Sequence, residues 1–236
     1  MLGLYAQRFP VAELNHTWHQ MPRAQGMEQL LEKAPAGYPF TAKLTRSLTD
    51  DVDPKTWHAQ AATFRQGMAP LMEKKQLLAI LAQFPNAFER TSANRKHLAS
   101  LFDELAGMPL AVEFRHESWA NDRVFAELER RQVTLVTMDA PAMPGLFPTL
   151  DVVTNPNLVY VRFHGRNARG WRSERSEQQF DYDYSDAELS EWVEKRIGPM
   201  IGKAKRSVLF FNNHVRAQAP RNAESLTRLM RRHGLA

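Results

Sequence analysis

The chain has 236 residues, 43% of them hydrophobic and 24% charged, which is enough for one domain with one large core. It contains no cysteine, which excludes disulfides, thiolate chemistry and cysteine-rich zinc frameworks. The net charge of +5 favours anionic partners, phosphates or nucleic acid. No apolar run is long enough to span a bilayer, and "MLGLYAQRFPVAEL" lacks the basic head and long apolar middle of a signal peptide, so a cytoplasmic protein with no membrane partner is expected.

In chain order, "FPVAELN" and "YPFTAKLT" read as strands separated by a helical segment around Met27 to Lys33. From Lys55 to Lys74 the apolar residues Trp57, Ala61, Phe64, Met68 and Leu71 recur at four-three-four-three spacing, one helical stripe, with Asp53 and Pro54 as its start signal. "QLLAILAQFP" is a continuous apolar run stopped by proline, as in a strand buried on both faces of a parallel sheet. The alternation continues with a helix from Arg95 to Ala106, strand "LAVEFR", helix Asp122 to Arg131 and strand "VTLVTMD". After these come strand "LVYVRFHG", helix Asp186 to Ile197 opened by a Ser185/Glu188 capping box, strand "SVLFFNN" and a last helix from Ala223 to Arg232. About seven strands, most followed by helices, point to a parallel α/β fold covering residues 1–236. No Gly-rich phosphate turn follows any strand, which favours a barrel over a nucleotide-binding open sheet. Two irregular stretches, "APAMPGLFPTLDVVTNPN" and "GRNARGWRSERSEQQFDYDYS", are candidate functional loops, the second equally a candidate for disorder.

Almost every strand ends in polar residues: Glu13 and Asn15, Lys43, Gln83, Glu113 with Arg115 and His116, Asp139, Arg162 with His164 and Arg166, then Asn212 and Asn213. Catalytic groups of barrels sit at the C-terminal ends of the strands, so these residues form the candidate site. Period two places Glu113 and Arg115 on one side of a buried strand, where charges are costly unless paired or used. Arg115, Arg162, Arg166 and Lys43 suit phosphate or carboxylate. Glu113, Asp139, His164 and Lys43 are the candidate catalytic groups for proton transfer and charge stabilisation. Glu13, Asn15, Gln83, His116, Trp119, Asn212, Asn213 and Asn222 are candidate substrate contacts, with Trp119, Trp171 and Tyr160 alternatively packing residues. Glu13, Glu113, His116, Asp139 and His164 could bind a divalent ion, but the surrounding cations oppose it, so no metal or cofactor is expected.

Together, "FPVAELNHTWHQMP", "FTAKLTRSLT", "LAQFP", "VEFRHESW", "VYVRFHGR" and "LFFNNHVRAQAPRNAESL" resemble the YecE-like family, the domain of unknown function DUF72, over nearly the whole chain. The resemblance implies a TIM-type (β/α) barrel, a fold often compared with those of metal-dependent sugar isomerases and apurinic endonucleases, and no settled activity. It also implies the same strand-end residues, with Gly165 added. Members usually begin with another strand and a glycine-tryptophan motif, whereas here only Met1 to Leu4 precede "YAQRFPVAELN"; an incomplete or open barrel of seven strands is therefore expected. The expected function is a hydrolase or lyase acting on a phosphorylated or other anionic substrate. The alternative is a non-catalytic module binding nucleic acid or an anionic metabolite.

Overall fold

The computed structural model describes residues 2–173 and 176–235. Among the described residues there are seven strands, where the sequence pointed to about seven. The chain divides into two compact units, Met1–His116 and Glu117–Ala236.

The first unit contains α1 (Leu2–Ala6), β1 (Ala12–Leu14), α2 (His16–His19), α3 (Ala24–Lys33), β2 (Phe40–Lys43), α4 (Trp57–Glu73), β3 (Leu77–Gln83), α5 (Ser92–Glu104) and β4 (Leu110–Glu113). Its strands pair in parallel in sequence order. All five apolar residues of the predicted stripe on α4 are buried. Thr91 caps α5 by accepting a hydrogen bond from the Asn94 N–H. The short α2 was not foreseen, because four residues are too few to show a helical period. It is held by side-chain hydrogen bonds instead. Thr17 Oγ1 donates to the carbonyls of Leu14 and Lys43 at 2.8 and 2.6 Å, and Thr45 Oγ1 donates to the Thr17 carbonyl at 2.9 Å.

The second unit contains α6 (Asp122–Arg131), β5 (Thr134–Asp139), β6 (Val159–Phe163), α7 (Ala168–Arg172), α8 (Ser176–Gln179), α9 (Asp186–Trp192), α10 (Gly198–Ile201), β7 (Ser207–Phe211) and α11 (Gln218–Arg232). The strands β5, β6 and β7 again form a parallel ladder. Helix α6 has the predicted bounds, capped by Asn121 and ended by Gln132 in the left-handed region. The Ser185/Glu188 capping box is present, but the helix it opens passes into a π-helical segment at Val193–Ile197. The stretch 165–185 carries two short helices rather than none. Its close packing is visible at Gly170, where a Cβ would lie 1.9 Å from the Gln178 carbonyl oxygen. Residues Val159, Val161 and Phe163 of β6 pack with Leu189, Trp192, Val193, Ile197, Leu226 and Leu229 in the core between sheet and helices.

Glycine inside a helix usually costs about 1 kcal/mol relative to alanine, yet α4 contains Gly67. A Cβ there would stand 2.2 Å from the Pro22 carbonyl oxygen, which is backbone and cannot rotate away. Gly67→Ala is therefore expected to destabilise the chain by about 1–3 kcal/mol, the cost of overpacking, despite the gain in helix propensity. Urea unfolding at matched m-values measures the sign.

Candidate functional site

In the first unit, the register aligns Glu13 with Thr41, Thr41 with Ala79, Lys43 with Leu81, Leu81 with Ala111, and Gln83 with Glu113. Side chains alternate along each strand, so Glu13, Thr41, Lys43, Gln83 and Glu113 share one face, and Arg115, two residues beyond Glu113, extends it. The opposite face is apolar. There Phe84 stacks on Phe114 and Phe88, and Phe88 reaches His97 of α5.

Glu113 is fully buried and Arg115 nearly so, and Arg115 Nη2 lies 2.7 Å from Glu113 Oε1. This is the same-face ion pair anticipated from "VEFRH". Lys43, Gln83 and Glu13 are half-buried and Asn15 is exposed. His116 is half-buried at the edge of the group, its Nε2 4.0 Å from the exposed Glu89.

One residue of this group went unnoticed in the sequence. Trp18 lies with its ring centroid 6.0 Å from Lys43 Nζ and 5.2 Å from Arg46 Cζ, and its indole N–H donates to Asp50 Oδ2 at 3.3 Å. The threonine hydrogen bonds that pin α2 set its position. The available signal was the run Asn15 to His19, "NHTWH", directly after a strand.

In the second unit the alternation separates residues that the sequence had grouped. Asp139 registers with Phe163, whose side chain is in the helix-side core, whereas Arg162 registers with Met138 and Phe210 on the other face. Arg162 and His164 therefore face away from Asp139. Both are fully buried, and Arg162 Nη2 donates to Asn212 Oδ1 at 3.2 Å. His164 lies in a loose ring cluster with Trp171 and Phe180, centroids 6.3 and 5.9 Å away. Tyr160 is fully buried against Phe210, and Trp119 is buried in a 3₁₀ turn.

On the helix side Arg166 Nε donates to both Asp139 carboxylate oxygens at 3.0 Å, and its Nη1 lies 3.5 Å from Glu188 Oε1. The Tyr182 hydroxyl donates to the same Glu188 oxygen in a short hydrogen bond. Tyr184 accepts from the Gly165 N–H at 2.9 Å and donates to Asp139. Burial pushes the Asp139 carboxyl above its ordinary value, and the bonds from Tyr184 and Arg166 offset this only in part. Burial also opposes ionisation of Glu188, but its bonds from Tyr182 and Ser185 outweigh it and hold the carboxyl below the ordinary value. Asn213 and Asn222 belong to this framework. Asn213 Nδ2 donates to the Tyr182 carbonyl and to Asn222 Oδ1, and Asn222 Nδ2 donates to Asp183 and the Tyr184 carbonyl. Among the described residues, no three His, Asp or Glu side chains gather in a way that could hold a metal ion.

Burial and the Glu188 carboxylate push the Tyr182 phenol up to about 12, against 10.0 for a free tyrosine. The folded state thus keeps a proton that the unfolded chain releases first. The stability from this hydroxyl is complete below pH 10 and is lost as pH rises from 10 to about 12. Tyr38, also held to about 12, contributes in the same window. Tyr182→Phe should flatten the alkaline fall in urea midpoint over this range while leaving part of it to Tyr38.

A family model described as "Protein of unknown function DUF72" matches residues 1–235. The chain is 24% identical over 243 residues to the UPF0759 protein YunF of Bacillus subtilis (strain 168), covering 97% of this chain and 86% of that one. A DUF72 family crystal structure from Enterococcus faecalis V583 superposes with a TM-score of 0.91 at 28% identity, over 98% of this chain and 88% of that chain. One from Thermotoga maritima MSB8 gives 0.83 at 34% identity, over 94% and 85%. No helix of the described residues is long and apolar enough to cross a membrane. The fold class is the expected α/β, TIM-type (β/α) class, and with its whole length matched the chain belongs to the DUF72 family.

Proposed function

We propose that the chain is an enzyme, a hydrolase or lyase acting on a phosphorylated or otherwise anionic substrate at the C-terminal ends of its strands. One observation carries this reading. In the first unit a carboxylate, an amine, an amide and a carboxylate-held guanidinium, from Glu13, Lys43, Gln83 and the Glu113–Arg115 pair, share one face of a four-stranded parallel ladder. A sheet needs only apolar side chains to be stable, and buried ion pairs are at best neutral substitutes for them. Four different polar chemistries on one face are therefore better suited to a ligand than to the fold.

In this reading Arg115, oriented by Glu113, binds the anion, and Lys43 stabilises charge that develops during the reaction. Glu13, less buried than Glu113, transfers the proton. In the second unit Arg162 and His164 offer anion binding and proton transfer on their own face, with Asn212 fixing the guanidinium. Asp139 and Arg166 are assigned to holding the helix-side framework.

The test is a thermal-shift screen against inorganic phosphate, phosphorylated sugars and nucleotides, followed by turnover assays on each compound that binds. A ligand present at about 1,000 times its dissociation constant stabilises the folded chain by about 4 kcal/mol. Lys43→Ala should leave the fold intact and lower turnover about 10²- to 10³-fold, the usual cost of removing one charge-stabilising group. Arg162→Ala and His164→Ala should weaken binding or turnover. Unchanged binding and turnover in all three variants would defeat the proposal, as would the absence of any stabilising anion.

A further inference from the structure

The chain's positive charge is concentrated in two short stretches. Residues 195–206 and 228–235 contain eight Lys and Arg and no Asp or Glu, against a net charge of +5 for the whole chain, so everything else sums to −3. Three of the eight have partners: Lys195 with Glu191, Arg196 with Asp151 and Arg228 with Asp186. The other five, Lys203, Lys205, Arg206, Arg231 and Arg232, are exposed, and among the described residues none has a carboxylate within ion-pair distance.

The fold of the second unit brings the two stretches to one end. Lys205 and Arg206 lead into β7, with the Lys205 N–H donating to the Pro156 carbonyl and the Arg206 carbonyl accepting from the Val159 N–H at the start of β6. Helix α11 leaves the far end of β7 and packs back along it, so its last turn, with Arg231 and Arg232, returns to the N-terminal end of these strands. His233 Nε2 lies 3.8 Å from Glu194 Oε1, and Leu235 lies beside Gly198, which ties this turn to α10 just ahead of Lys203. Arg231 and Arg232 also complement the negative end of the α11 dipole, and Lys203 that of the continuous helical run from Asp186 to Ile201, but Lys205 and Arg206 lie beyond both helix ends and have no such role.

We propose that this basic end of the second unit is a docking surface for the phosphate backbone of duplex nucleic acid, without sequence preference. The patch holds no exposed large apolar residue; among the described residues only Leu4 and Tyr5, in the other unit, are of that kind. It therefore lacks both the apolar side chains that enter a bilayer and the exposed aromatic rings that stack single-stranded bases. What it offers is five point charges on a polar surface, the complement of a regular array of phosphates. The surface lies at the end of the strands opposite to Arg162, His164 and Asn212, so the inference goes beyond the proposed enzymatic reading and does not depend on it.

The experiment is fluorescence anisotropy of a labelled duplex of about 20 base pairs with the full chain, at salt from about 50 to 200 mM. Five neutralised phosphates give a log–log salt slope of about −4.5, or about 500-fold weaker binding across that range. Arg231→Gln with Arg232→Gln should reduce the slope to about −2.7, about 40-fold, and adding Lys203→Gln, Lys205→Gln and Arg206→Gln should abolish binding. All five are exposed, so the variants should melt with the parent. Arg162→Gln should leave the slope unchanged. If Arg162→Gln abolishes duplex binding and the Gln variants do not, the patch is not the surface, while the strand-end site gains a ligand. No duplex binding at the lowest salt overturns the inference, as does equal binding to anionic phosphatidylserine vesicles that survives loss of duplex binding. In each of these cases, binding of small phosphate compounds at the strand ends would still stand or fall on the thermal-shift screen.

Discussion

Parallel strands covered by helices on one side leave a side chain only two directions, and alternation assigns every residue to one or the other. In the first unit one row is apolar throughout and the other carries the polar residues at the strand ends. In the second unit the helix-facing row carries Thr137 and Asp139, and the row facing the other way carries Arg162. In the first unit this produces a single polar face from four strands without any strand breaking its pattern. In the second it splits residues that are neighbours in sequence: Arg162 and Phe163, adjacent along β6, look into different environments.

The two kinds of charge that result behave differently. Asp139, Arg166, Glu188, Tyr182 and Tyr184 form a closed network in which each group has a hydrogen-bonding partner within the framework. Such networks specify a structure, because removing one member leaves another buried and unsatisfied. The Glu113–Arg115 pair is deeper than half-buried Lys43, whose Nζ lies 6.0 Å from the Trp18 ring centroid.

Most elements were legible in the sequence because their signals are local. The four-three spacing from Trp57 to Leu71, the bounds of α6, the capping box of α9 and the apolar run of β3 are each written in adjacent residues. What escaped had no period to show. Helix α2 rests on the Thr17 hydroxyl, which reaches carbonyls of β1 and β2, and on the Thr45 hydroxyl, which reaches the Thr17 carbonyl, and the two helices within 165–185 depend on close backbone approach at Gly170. Of the candidate residues, the pairing of Glu113 with Arg115 followed from period two alone. The separation of Asp139 from His164 did not, because it requires the register between β5 and β6, which is a property of two segments twenty residues apart. Asn213 and Asn222 illustrate the same limit: from sequence they are amides available to a ligand, and only the returning path of α11 shows them bonded to each other.

The hydroxyl of Tyr184 has a consequence for how the second unit opens. It accepts the N–H of Gly165, a residue just past the end of β6 and outside the β5–β6 ladder, whose φ of +84° and close contact with the Tyr182 Cβ leave room for no side chain. That amide is shielded by a phenol belonging to the ionic network and not by the sheet. Its exchange with solvent deuterium therefore follows loosening of the network, while the ladder amides of β6 follow opening of the sheet itself. A single backbone proton thus reports whether the charged framework and the strands come apart together or in turn.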